Sequence, residues 1–143
     1  MKSLLRKLRV IFIGLVIFSY TEVWGADWRV IGEPTVKDVA VLYYDADSIT
    51  HPSKNIVRTW TKKIYSKSAV TRYVKEMGKR FENLSYAVEL YEVNCIEKKI
   101  LLLESTAYSK DGDVIISAKS QATKWSSIVP GSMGEALFGS VCK

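Results

Sequence analysis

The stretch Tyr86–Ser117, YAVELYEVNCIEKKILLLESTAYSKDGDVIIS, decides the fold. Val, Ile, Leu, Tyr and Thr dominate it, and these residues suit a pleated, half-buried surface. It reads as three consecutive antiparallel strands with two tight reversals, the first strand ending at Cys95. The pair Asp111-Gly112 between apolar runs predicts a two-residue type I′ turn, in which both central residues take positive φ. The register then places Ser109 opposite Val114, Ala107 opposite Ile116, Ser105 opposite Ala118 and Glu104 opposite Lys119. One face carries Leu101, Leu103, Ser105, Ala107, Val114, Ile116 and Ala118. The other carries Leu102, Glu104, Thr106, Tyr108, Ile115, Ser117 and Lys119. The first is the expected core face, because its small residues leave room for a helix. An even-length loop at Ile96–Lys99 puts Cys95 opposite Ile100 and off that face. An odd loop, or a bulge, brings it on, since a one-residue slip exchanges the faces. We expect the odd loop.

Outward from this stretch, short strands precede it at Asp27–Gly32, Val39–Asp45 and Ile56–Tyr65. The polar segment Thr50–Asn55, with the chain's sole histidine at His51, reads as a loop. In Ser68–Phe81 the apolar residues Val70, Tyr73, Val74, Met77 and Phe81 follow helical spacing. Near the end, Trp125–Val129 is apolar with two serines, and Pro130-Gly131 makes a turn. Ser132-Met133-Gly134-Glu135 is a capping box that opens a helix over Met133–Val141. The expected class is α+β. It is an antiparallel meander of about six strands, an amphipathic helix between strands three and four, and a C-terminal helix packed on one face.

Residues 1–25 read as a secretory leader, with a basic start (Lys2, Arg6, Lys7, Arg9) and the apolar run Val10–Phe18. The run is short for a membrane span. An uncleaved anchor is the alternative. Residues 26–143 form one expected domain. The leader holds four of the 21 basic and one of the 15 acidic residues, so the remainder has 17 and 14 and a net charge of +3. Export exposes Cys95 and Cys142 to an oxidising compartment, where two cysteines allow one pairing. Two buried free thiols are the alternative. A disulfide here staples the C-terminal helix to the strand that ends at Cys95, stabilising by about 4 kcal/mol in the chain-entropy model.

The sequence offers no catalytic constellation. His51 lacks partners for a triad or a metal cluster. Asp45/Asp47 and Asp111/Asp113 are better explained by turn chemistry than by a hard cation. Glu89, Glu92 and Glu104 have the chemistry of a general acid–base pair, but on such strands they read as solvent-facing. Neither metal nor cofactor is implied.

Charge is more informative. Lys54–Arg80 holds nine basic residues (Lys54, Arg58, Lys62, Lys63, Lys67, Arg72, Lys75, Lys79 and Arg80) against Glu76 alone, a net +8. The rest of the domain is −5. This asymmetry suits a polyanion or an acidic protein patch, and it also fits a solvated face that serves solubility. Nucleic acid is a poor partner for an exported chain. Most of the many Tyr and Trp side chains suit a small β core. Trp60, between Arg58 and Lys62, is the exception and reads as a contact residue.

VLYYDADSI at 41–49, NIVRTWTKKIYS at 55–66, YAVELYEVNC at 86–95, KKILLLESTAYSKDGDVI at 98–115 and IVPGSMGEALFGSVC at 128–142, this last preceded by Trp125, together resemble the surface-adhesin protein E-like domain family. The resemblance spans most of the domain. It implies an exported antiparallel sheet with a helix, and a namesake that adheres to host extracellular-matrix proteins. No ligand motif transfers residue by residue. The reading is an exported, non-enzymatic binding module at the cell surface or in the periplasm, able to dimerise through a sheet edge. Its expected contact residues are Arg58, Trp60, Lys62, Lys63, Arg72, Lys75 and Lys79, and its ligand a matrix protein or polyanion. The alternative is a periplasmic inhibitor or accessory subunit of an envelope enzyme.

Overall fold

A computed structural model of the protein describes residues 25–31, 39–121 and 124–143. The expected leader falls almost wholly outside the described residues. The strands are β1 (Trp28–Val30), β2 (Val39–Asp45), β3 (Thr50–Ser53), β4 (Ile56–Tyr65), β5 (Leu84–Asn94), β6 (Lys99–Ser109), β7 (Val114–Lys119) and β8 (Ser126–Ser127). Helix α1 (Lys67–Met77) lies between β4 and β5, and α2 (Met133–Val141) ends the chain. All strand pairs are antiparallel, in the order β1-β2-β4-β5-β6-β7. The expected α+β class, with a C-terminal helix and a disulfide, is what the protein adopts.

Two strands were not legible. Thr50–Ser53 is not a loop but β3, which pairs with β4 beside the end of β2. Ser126–Ser127 forms β8, which pairs with Lys99 and Ile100 at the start of β6. Both are short and almost wholly polar, so neither carries the alternation that marks a strand.

The register of β6 and β7 holds from Glu104↔Lys119 to Ala107↔Ile116, then slips so that Tyr108 meets Val114. The turn is not type I′, because Gly112 has positive φ (86°) and Asp111 does not. Gly112 N–H donates to the Ser109 carbonyl, and Ser109 N–H to the Asp113 carbonyl. The loop is therefore a three-residue turn closed by a glycine bulge. Ser109 Oγ also accepts from the N–H groups of Asp111 and Asp113, which fixes this form.

The reversal before β6 is a four-residue loop, since Asn94 pairs with Lys99. The expected odd loop is absent. A bulge supplies the missing residue instead: Tyr91 meets Leu102 and Leu90 meets Glu104, leaving Leu103 extra. Cys95 consequently falls in phase with Val93 and Ile100, and Leu101 turns to the opposite face. Cys95 and Cys142 form the disulfide, with Cα atoms 5.5 Å apart, and pin the end of α2 to the sheet.

Both helices pack on one face of the sheet, hereafter the helix face. Helix α2 brings Leu137 onto Leu42, Tyr44 and Val93, with Ile100 and Tyr91 alongside. At the other end α1 brings Val70, Tyr73 and Val74 toward Phe81, Leu84 and Ala107, with Tyr65 edge-on to Tyr73. Helix α1 stops at Met77 rather than running to Phe81. Gly78 takes φ 97° and ψ 173°, a conformation open essentially to glycine. A 3-10 turn, Lys79–Phe81, then carries Phe81 into the core.

Candidate functional site

The opposite face of the sheet carries no described helix. Cross-strand register assembles it row by row. Trp28 on β1 lies opposite Asp45 on β2, and Tyr43 opposite Lys62 on β4. Lys62 continues to Val88 and Thr106, Trp60 to Leu90 and Glu104, and Ile64 to Tyr86 and Tyr108. Trp28, Tyr43, Trp60, Tyr86, Val88, Leu90 and Tyr108 are all only partly buried. Trp28, Asp45, Trp60, Val88, Thr106 and Tyr108 enclose a shallow depression of about 280 Å³.

The aromatic rings here support one another. Tyr86 and Tyr108 stack at 4.8 Å between centroids, and the Lys62 ammonium sits 4.5 Å from the Tyr86 centroid and 6.0 Å from that of Trp28. Cation–π contacts of this kind hold a lysine against apolar surface without a carboxylate. Around this centre the charges are paired across strands. Arg58 binds Glu92 through Nε and Nη2, and Lys119 lies 3.4 Å from Glu104. An apolar, aromatic middle with a rim of charges is the anatomy of a protein interface.

The seven expected contact residues fall in different places. Arg58, Trp60 and Lys62 alternate along β4 and share the open face. Lys63, one position on, points to the helix face, where it pairs with Glu89 at 2.7 Å and is only 13% exposed. Arg72 and Lys75 lie on α1 and Lys79 in the 3-10 turn, all on elements that pack on the helix face. Arg72 lies over Tyr73 at 5.7 Å. The +8 segment is thus spread around the molecule, because β4 and α1 send successive basic residues in different directions.

Sequence reasoning grouped Trp28, Tyr86 and Tyr108 with the aromatics that mostly suit a small β core, and singled out neither Val88 nor Leu90. The available signal was their phase. Tyr86, Val88 and Leu90 alternate with Ala87 and Glu89, so one set had to leave the helix face.

The acidic candidates also resolve. Glu89, expected in solvent, is buried on the helix face. Its Oε1 takes Lys63 and Ser105, and its Oε2 takes the Tyr91 hydroxyl at 2.9 Å. Burial, and then the Glu89 charge, push the Tyr91 hydroxyl far above its ordinary range. Glu92 and Glu104 sit in the rim pairs. Asp45 Oδ1 accepts from the N–H groups of Asp27 and Asp47, and so caps the turn Ala46–Ser48. His51 is exposed on β3. Among the described residues no three His, Cys, Asp or Glu side chains are grouped to hold a metal, and no helix is long and apolar enough to cross a membrane.

A family model described as surface-adhesin protein E matches residues 28–143. No curated protein and no solved structure matches the chain significantly.

Proposed function

The chain belongs to the surface-adhesin protein E family, and on that premise we propose that it is a cell-surface, non-enzymatic binding protein that seats a protein partner on the open face of its sheet. The observation that carries this is the pairing of an aromatic centre with neutralised rim charges. Trp, Tyr and Arg supply most hot-spot energy in protein interfaces, and they do so from the centre of the patch. Trp60 occupies that centre, with Trp28 beside it across the shallow depression. Arg58 and Lys119 face carboxylates on neighbouring strands, which leaves Lys62 as the central cation. That balance favours a protein surface carrying an isolated carboxylate over a uniformly charged polyanion.

The test is binding to a panel of host extracellular-matrix proteins and to heparin. Trp60→Ala and Lys62→Glu are expected to weaken binding, while Lys75→Glu and Lys79→Glu on the helix side leave it unchanged. A stoichiometric enzyme recovered with the protein from an envelope extract would support an accessory subunit instead.

A further inference from the structure

On the helix face, apart from the open face and independent of its role, a pocket of about 180 Å³ lies between α2 and the sheet. Leu42 and Ile100 form one wall, and Met133 and Leu137 from α2 form the other. Tyr91 and Glu89 also line it. We propose that this pocket is a binding site for a single small neutral ring that carries an O–H or N–H donor, a phenol being the simplest case.

Size sets the first limit. An apolar cavity of about 150 Å³ takes up benzene, so this volume suits one ring and little more. Bonds fix the elements that bound the pocket. The disulfide fixes the far end of α2, Ile128 N–H donates to the Lys98 carbonyl at 3.0 Å, and β8 pairs with Lys99 and Ile100. The mouth opens at Ser127 and Val129, and Val129 leaves an apolar lip 63% exposed.

Charge sets the second limit. Glu89 and Lys63 neutralise each other beside the pocket. A charged ligand would lose its hydration there without gaining a counter-ion. Hydrogen bonding sets the third. A carboxylate oxygen accepts about two hydrogen bonds. Among the described residues Glu89 Oε1 receives two, from Lys63 and Ser105, whereas Oε2 receives one, from Tyr91. The second acceptor position of Oε2 is what a ligand O–H or N–H would occupy. A ring without a donor fills the same space but leaves that position empty.

The experiment is ¹⁹F NMR titration of the oxidised protein with 4-fluorophenol and, separately, with the near-isosteric 4-fluorotoluene. Saturable binding of 4-fluorophenol is expected, at least about tenfold tighter than that of 4-fluorotoluene, the lower end for one hydrogen bond to a charged acceptor. Gly134→Leu should abolish it by filling the pocket from α2. A Cβ at Gly134 makes only ordinary contacts, 3.5 Å from Ser132 Oγ and 3.7 Å from Ile100 Cδ1, so the backbone accepts a side chain there. Ser127→Trp, at the exposed mouth, is the second blocking variant should Gly134→Leu fold poorly. Non-saturable binding, binding that persists in the blocked variants, or equal affinity for the two fluoro compounds overturns the proposal.

Discussion

Lys63 Nζ lies 2.7 Å from Glu89 Oε1, and the two side chains are 13% and 7% exposed. An ion pair so deeply set is a structural element of the helix face. Removing one partner leaves the other charge buried and alone, at a cost of about 3–5 kcal/mol. Lys63→Met and Glu89→Leu should each lower stability in urea titration by roughly that amount. The double variant should lose much less, because neither charge is then stranded. Equal and additive losses would show that the pair is not coupled.

Tyr91 donates to Glu89 Oε2, and its hydroxyl titrates well above a free tyrosine. A raised folded pKa means that the bond's contribution is complete below the unfolded value and declines as pH rises past it. Tyr91→Phe should therefore cost about 1.5–3 kcal/mol near pH 8, the worth of a bond to a charged acceptor. The gap between wild type and variant should narrow above about pH 10, where the unfolded tyrosine ionises. Chemical denaturation from pH 8 to 11 measures it. A gap that widens with pH would contradict the assignment.

The disulfide spans 47 residues, from the end of β5 to the end of α2. Cys95→Ser with Cys142→Ser should cost about 4 kcal/mol by the chain-entropy model. Intact mass of the native protein should be two hydrogens below that of the reduced chain. Reduced protein should also lose protection of α2 amides to hydrogen exchange before those of β4 and β5, since α2 is then held by its packing alone.

Two glycines should respond in opposite directions. Gly78→Ala forces a side chain into φ 97°, ψ 173° and should cost about 1–3 kcal/mol. Gly134→Ala lies inside α2 with room for a methyl group, and should stabilise by up to about 1 kcal/mol. Thermal unfolding of the two variants decides both.

The parts of this fold that could be read ahead share a physical cause. The long strands and α1 carry an unbroken period, and the Ser132–Glu135 cap announces α2, although Glu135 reaches the Gly131 N–H rather than that of Ser132. The parts that could not be read depend on single-residue displacements. The bulge at Leu103 decides which way Cys95 points, yet nothing in ILLLES marks which leucine is extra. The basic run looked like one surface because charge was counted along the chain. Backbone alternation separates Lys62 from Lys63 by the thickness of the sheet. The aromatic face was visible in phase on β4 and β5, but recognising it required knowing that both helices choose the other side.

The proposed contact surface is the open face, and not the basic run as a whole. Its most direct test is the affinity of Trp60→Ala and of the Lys75→Glu/Lys79→Glu variant for whichever matrix protein the wild type binds most tightly. A loss of about tenfold or more is expected for Trp60→Ala, the scale of a hot-spot anchor, and affinity within about twofold of wild type for the helix variant. Unchanged binding by Trp60→Ala together with loss in the helix variant would contradict it.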